Sequence, residues 1–503
     1  MDRRRFLKYA GVGAGLLAAG AAGYYVHEEL DKLQEASVPA RTATTSQTSP
    51  LDMTLPVIQD LKWTPTRVVN DKVYDGEISL ITWDMDSYVE SITVDLVPAQ
   101  YSHLPKEAFP QEDTESFASR PARRVAGFEQ EVRDIEGGRE YEIRVTSKDA
   151  RGNVATANLT TPYVREFENT APLNDITVIA DYYTWFLFGR WGGHVYTPLL
   201  GEYGSGDPTA ISKHIDWATG HGIDAFAVSW WGDPSSCTDT NQHPWDLLNF
   251  EERFLKHPML NHMKFCILYE NNGRLKVTNR DDPAEKWVED LDDPFNRSRL
   301  LSDFEYLTKY FSDPQYLRIG GKPCVRFDYT VPFRGDIKGV LGEVRTKLRD
   351  MGWEIYLIND LAGRSLYPAD LISAEASDWR YPNVSPAHVL QVIENTDAIG
   401  GSGPPPNENY KIWRDFSVKR RKDFVPVSWP GQHVHPSICP TCEPVPRSPE
   451  YFTTLLEPSI KYNTRNIIEI AAFNEWEAGI EIEPAEEYGF SYLQALRDVL
   501  GKG

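Results

Sequence analysis

Ile176-Thr177-Val178-Ile179-Ala180-Asp181-Tyr182-Tyr183-Thr184-Trp185 is the stretch on which the fold turns. Its apolar opening has the length and β-branched content of a buried strand, and it runs straight into aromatics without a glycine turn. A doubly wound sheet calls for a Gly-rich phosphate turn after its first strand, so this ending argues against one. Similar apolar runs recur downstream: Ala225 to Trp231, Lys264 to Glu270, Cys324 to Tyr329, Ile355 to Asp360, Leu371 to Ala376, Phe424 to Gly431 and Ile467 to Trp476. Longer helix-compatible stretches separate them. Asp207 to His221 opens with Asp-Pro-Thr, and Asp336 to Met351 carries Ile337, Val340, Leu341, Val344 and Leu348 at helical spacing. Eight strands alternating with helices predict an α/β fold, a (β/α)8 TIM barrel spanning 170–503.

Ahead of the barrel, 51–165 is patterned differently. Short alternating runs (Glu77 to Trp83, Val89 to Val97, Val125 to Val132, Glu140 to Val145) are separated by Asp75-Gly76, Gly137-Gly138 and Arg151-Gly152-Asn153. That predicts a small all-β accessory domain, and Tyr141 to Asn153 resembles the late strand and turn of an immunoglobulin or fibronectin III-like sandwich. Residues 27–50 are polar and rich in Ser, Thr and Ala, a flexible linker. Residues 1–26 open with Asp2-Arg3-Arg4-Arg5-Phe6-Leu7-Lys8 and continue uncharged from Tyr9 to Val26, mostly Ala, Gly and Leu. The paired arginines before a weakly apolar run resemble a twin-arginine export signal. The expected location is extracytoplasmic, secreted or held at the membrane by an uncleaved segment.

The chain of 503 residues carries 74 Asp and Glu against 52 Lys and Arg, a net charge of −22, which disfavours nucleic acid and anionic membrane surfaces as partners. Five cysteines exclude a disulfide-dense scaffold. Aromatics make up 12% of the residues, with 14 Trp and 25 Tyr, and the candidate strand ends show where many of them go. In order those ends read Tyr182-Tyr183, Trp230-Trp231, Tyr269-Glu270, Asp328-Tyr329, Asn359-Asp360, Glu375, Trp429 and Glu475-Trp476-Glu477. In a barrel these positions share one rim, where the active site is built. Carboxylates at that depth must be paired, hydrogen-bonded or working. Flat rings beside acids suit a pyranose, whose C–H faces stack while its hydroxyls bond to carboxylates.

Cleaving a glycosidic bond takes two carboxyl groups. Glu475 and Glu477 form the sharpest pair: at i and i+2 of a strand they share a face with Cα atoms ~6.6 Å apart, a spacing that does not choose between retention and inversion. Phe473-Asn474-Glu475-Trp476-Glu477-Ala478-Gly479-Ile480-Glu481-Ile482-Glu483-Pro484, with Tyr488-Gly489 behind it, resembles the closing motif of glycoside hydrolase family 99, the endo-α-mannosidase family. Tyr182-Tyr183 with Trp191 and His194, Pro198 to Gly201 with Tyr203, His214 to Ala218, Gly222 to Gly232, Asp313 to Pro323 and Val427 to Gly431 agree in order. The resemblance implies cleavage of α-mannoside or related α-linked glycans with retention and no required cofactor. It implies Glu475 as the base toward the sugar 2-hydroxyl. The rim of strand ends and the matched stretches together give Tyr182, Tyr183, Trp191, His194, Trp230, Trp231, Tyr269, Asp328, Asp360, Trp429, Asn474 and Trp476 as the expected sugar-binding residues. The family's second glutamate falls on Ala478, which transfers no proton. Glu477, Glu270 and Glu481 are the substitutes to weigh, and a non-catalytic glycan-binding barrel is the rival reading.

His433-Val434-His435-Pro436-Ser437-Ile438-Cys439-Pro440-Thr441-Cys442 follows the seventh run. His433, His435, Cys439 and Cys442 are ligand types suited to a structural zinc, and a metal-dependent hydrolase is the third reading; a Cys439–Cys442 disulfide or free thiols are the alternatives. Cys266 and Cys324, inside apolar runs, read as core.

Overall fold

The computed structural model describes residues 55–69, 72–99, 114–133, 135–169, 175–189, 191–232, 245–277, 288–361, 386–401, 409–440 and 442–501. The signal, the linker, Leu371 to Ala376 and Glu375 lie outside the described residues. Contacts divide the described chain into two compact units with the boundary near residue 170.

The first unit contains two antiparallel sheets. One runs Val57–Val69, Lys72–Trp83, Val125–Val132; the other runs Glu115–Ser119, Val89–Pro98, Tyr141–Asp149, Val154–Thr160. Alternation sends Ile78, Leu80, Ala126 and Phe128 of the first sheet and Ile92, Val94, Leu96, Ile143 and Val145 of the second into one apolar core.

The second unit is built on a parallel sheet. Its first five strands are Thr177–Tyr182, Ala225–Trp230, Lys264–Tyr269, Lys322–Phe327 and Tyr356–Asp360; four lie within the predicted runs, and the fourth strand overlaps its run but starts two residues before Cys324. The sixth is Ala398–Gly400, which pairs with the fifth through Ile358 and Ala398 and occupies the place assigned from sequence to Leu371–Ala376. The seventh is interrupted: Asp423–Phe424 pairs with the sixth strand and Val427–Ser428 with the eighth, Ile467–Ile470. Val425 N donates to Ile399 O on one side, and Pro426 O accepts from Glu469 N on the other, each at 2.9 Å. The two ends of the sheet are therefore pieces of one six-residue stretch, and the eighth strand pairs with the first, so the sheet closes on itself as a TIM-like barrel of eight strands. Pro426 supplies no N–H, which accounts for the break.

Helices cover the barrel as the sequence patterning predicts. Pro208–Gly220 starts at Asp207, whose carboxylate accepts from Thr209 N at 2.8 Å with Pro208 in the first turn. Ile337–Asp350 is capped by Asp336 and buries the stripe Ile337, Val340, Leu341, Val344 and Leu348. Inside the barrel, three strands carry a charge in an otherwise apolar run. Arg326 of the fourth strand pairs with Asp181 of the first and with Glu469 of the eighth at 3.1 Å, all three buried, and its Nη2 donates to Gly401 O at 3.1 Å.

Candidate active site

The site forms where the strands end, and its geometry starts from Asn474. Asn474 Oδ1 accepts from Tyr183 N at 2.8 Å and Nδ2 donates to Tyr183 O at 2.9 Å, which staples the closing segment to the end of the first strand. The eighth strand stops at Ile470, and the chain then folds back, with Ile482 N on Ala472 O (3.0 Å) and Glu483 N on Phe473 O (2.8 Å). Glu475 and Glu477 thus stand on a turn, and the shared strand face expected of them is corrected. The turn needs Gly479: its φ is +62°, and an added Cβ would strike the backbone of His433.

Glu475 is buried and its Oε1 accepts from Ala478 N at 3.0 Å. Burial, then the charges of Glu477 and Glu481, holds its carboxyl well above the usual range, against hydrogen bonds from the Ala478 and Glu477 amides. Glu270, just after the third strand, is also buried and raised, by burial first and then by Asp328, Asp181 and Glu475; Ser229 opposes the rise with a hydrogen bond at 2.6 Å. The Tyr183 phenol is likewise raised by burial and by Asp181, Glu475, Glu270 and Asp328 together. One tyrosine thus lies in the field of acids from the first, third and fourth strand ends and the closing turn. Glu477 sits to one side: its Oε1 accepts from Gly192 N at 3.0 Å, and burial raises it while the Gly192 amide and His194 oppose.

The aromatic residues divide by the face they present. Trp231 is partly exposed, its indole lies over Gly273, where a Cβ would collide with the ring, and its carbonyl accepts from Arg274 Nη1 at 3.0 Å. Trp185 bridges it to Tyr183, with ring centroids 6.0 and 4.4 Å away. Trp185 and Trp231 are partly exposed, while Tyr183 is buried among the acids. Tyr182, Trp230 and Tyr269, expected to stack on sugar, are covered by protein. Tyr182 stacks on Phe226 at 4.4 Å and its hydroxyl pairs with His214 Nδ1; Tyr269 donates to Asp303 at 2.8 Å; Trp230 lies between Tyr269 and Arg274. Strand alternation turns them outward, toward the helices.

Trp476 is also buried and donates to Glu483 at 2.7 Å, where Tyr203 (2.8 Å) and His214 (3.0 Å) meet the same carboxylate. Trp191 donates to Tyr203 O at 2.8 Å, and His194 bonds Tyr196 O and Glu202, so both hold the loop after the first strand. Asp328 and Asp360 are buried at the fourth and fifth strand ends, and Trp429 follows the seventh. Glu481 pairs with Arg447 at 2.7 Å and is pushed up to about 7 by burial, against that arginine.

Cys439 and Cys442 are joined in a disulfide. His433 meets the Tyr196 hydroxyl at 3.3 Å and His435 the Ser437 hydroxyl at 2.7 Å. The expected zinc set is thereby corrected, since disulfide sulfurs are not thiolates; among the described residues no three His, Cys, Asp or Glu side chains are arranged to hold a metal. Cys266 and Cys324 are buried and free, as core residues. Sequence reasoning passed over Asp181, Ser229, Arg326 and Glu469; the signal available was a polar or charged residue interrupting each of four apolar strands.

The raised carboxyls tie stability to pH. A carboxyl whose folded pKa lies above its unfolded value of ~4.3 costs nothing below that value, and the cost grows as pH rises toward the folded pKa. Glu270→Gln removes this cost while its side-chain oxygen still accepts from Ser229. Its melting temperature is expected to match wild type near pH 4 and exceed it by a few degrees above neutrality. Thermal unfolding across that range checks this; a difference independent of pH would show that Glu270 is not shifted.

Fold and site together define a closed parallel barrel whose mouth holds buried, mutually repelling carboxyls beside an aromatic platform. Among solved structures, the chain is similar to the glycoside hydrolase family 99 endo-α-mannosidase from Bacteroides thetaiotaomicron, at 18% identity and a TM-score of 0.47 over 65% of this chain and 97% of that one. It is similar to a glycoside hydrolase-like protein at 16% identity and a TM-score of 0.47, over 68% and 97% of the two chains. It is also similar to the Parabacteroides merdae β-glucuronidase at 8% identity and a TM-score of 0.31, over 83% of this chain and 47% of that one. No protein-family model matches the chain, and no curated protein does.

Proposed function

We propose that the chain is an exported glycoside hydrolase acting on α-mannoside-type or related α-linked glycans by carboxylate acid/base chemistry. The observation that carries this reading is that Glu270 and Glu475 are both buried and both raised, Glu475 adding to the rise of Glu270, and that the two act together on Tyr183, whose ring meets Trp185 and through it Trp231. Like charges at close range disfavour joint ionisation, so one carboxyl keeps a proton while the other accepts one. In the reading, ionised Glu475 takes the proton of the sugar 2-hydroxyl, whose oxygen bonds to the anomeric carbon. Glu270 gives its proton to the departing glycosidic oxygen. Water then opens the strained sugar from the opposite face, giving its proton back to Glu270 while the 2-oxygen recovers one from Glu475, with net retention. Ala478 takes no part in proton transfer; its backbone N–H holds one oxygen of Glu475. The two N-terminal sheets fit an immunoglobulin or fibronectin III-like accessory domain, and residues 1–26 fit a twin-arginine-type signal or anchor.

The test of the acid is leaving-group dependence. Glu270→Gln is expected to lose about 10²- to 10⁴-fold on an α-mannan, whose leaving alcohol needs a proton, and much less on a 4-nitrophenyl α-mannoside, whose phenolate leaves without one. Equal losses on both would remove Glu270 from the acid role, and the same pattern in Glu477→Gln would move that role there. The second reading, glycan binding without turnover, is favoured by Ala478 alone; wild-type protein that binds the α-mannan and releases no sugar would establish it.

A further inference from the structure

Ser229 is next to last in the second barrel strand and buried, and its hydroxyl serves both halves of the site. Trp231 Nε1 donates to Ser229 Oγ at 2.9 Å, and Ser229 Oγ donates to Glu270 Oε1 at 2.6 Å. An indole N–H only donates and an ionised carboxylate only accepts, so with Glu270 ionised the single hydroxyl proton of Ser229 must point at the carboxylate. Strand register produces the arrangement: Ser229 pairs with Leu268, which sets its hydroxyl beside the end of the third strand, two residues ahead of the ring it holds. The rest of Trp231 is fixed by the bare backbone of Gly273 beneath the indole and by Arg274 on its carbonyl. Ring and carboxyl therefore share one oxygen atom as their common anchor.

We propose that Ser229 is a positioning residue that couples the stacking face of Trp231 to the carboxyl of Glu270, so that a pyranoside seated on the indole meets that carboxyl in fixed register. The inference rests on the reading of Glu270 as proton donor. The charged and titratable groups facing Glu270 are Asp328, Asp181, Glu475 and Tyr183; the acids among them favour its protonated form, and Ser229 favours the ionised one. Losing the hydroxyl therefore leaves Glu270 protonated to higher pH and frees the indole edge at the same time.

For a general acid the alkaline limb of the kcat/KM profile reports its ionisation. Ser229→Ala is expected to lower kcat/KM on an α-mannan about 10- to 100-fold, the range for a hydrogen bond to a charged group, and to move the alkaline limb to higher pH. Ser229→Thr keeps a hydroxyl and is expected to restore the limb; Ser229→Cys, a weak donor, is expected to fall between and serves if the alanine variant does not fold. A limb superimposable on wild type in folded Ser229→Ala or Ser229→Cys overturns the coupling. Carbon NMR of the Glu270 carboxyl gives a readout free of turnover, with an upward shift expected in the same variants. Wild-type protein inactive on every α-mannoside, together with that NMR shift, sinks the hydrolase reading and leaves the coupling standing; absence of the shift sinks the coupling alone.

Discussion

Glu475→Gln is expected to lower kcat on an α-mannan by about 10²- to 10⁴-fold, with KM changed only a few-fold. The substitution keeps shape and the contact to the chain, because a glutamine oxygen also accepts the Ala478 amide that Glu475 accepts at 3.0 Å. What it removes is the capacity to take a proton. Asn474 anchors the turn to Tyr183 through two backbone hydrogen bonds that the substitution leaves alone, so the loss reports chemistry and not misplacement. The variant is also expected to be at least as stable as wild type at neutral pH, since a raised carboxyl is a burden on the folded state there. Single-turnover kinetics beside a melting curve check both parts. A kcat within tenfold of wild type would take Glu475 out of the reaction.

Arg326→Leu is expected to destabilise the barrel by about 3–5 kcal/mol, the range for breaking a buried pair from one side. Arg326, Asp181 and Glu469 are all buried, and one guanidinium serves both carboxylates, from opposite sides of the first strand's pairing with the eighth. Glu469 is already pushed up to about 8 by burial, against the pull of Arg326; without the arginine both acids lose the partner that favours their charged forms. They must then fold protonated or unpaired. A raised folded pKa leaves stability intact in acid and removes it as pH rises, so the deficit is expected to shrink toward pH 5 and grow toward pH 8. Adding Glu469→Gln is expected to recover part of it. Urea unfolding at the two pH values measures this. A deficit below about 1 kcal/mol, or one unchanged with pH, would show that water reaches the triad.

The strands were legible where apolar runs were long enough to stand out against their flanks. Ala398–Gly400 was not, because three residues between Asp397 and Gly401 fall below any period that can be read; its place in the sheet comes from pairing with Tyr356–Asp360. The carboxylates and rings at the rim were legible as residue types, but their facing was not. Tyr182 and Tyr183 are neighbours, yet one is covered by Phe226 and His214 and the other stands among the acids. Glu475 and Glu477 read as one strand face because the apolar run continues to Phe473, whereas pairing with the first strand ends at Ile470.

Sequence alone determined the alternation of strands and helices, the separate all-β unit and the stock of acids and aromatics at the strand ends, since these follow from local periodicity and composition. Tertiary structure decided which of those groups meet. Closure of the sheet through Val425 and Pro426 sets the strand ends in a ring, and only across that ring do Glu270, Glu475 and Tyr183, distant in the chain, come under one another's fields. Burial and proximity across the fold, which no local pattern encodes, are what raise both carboxyls and the phenol together.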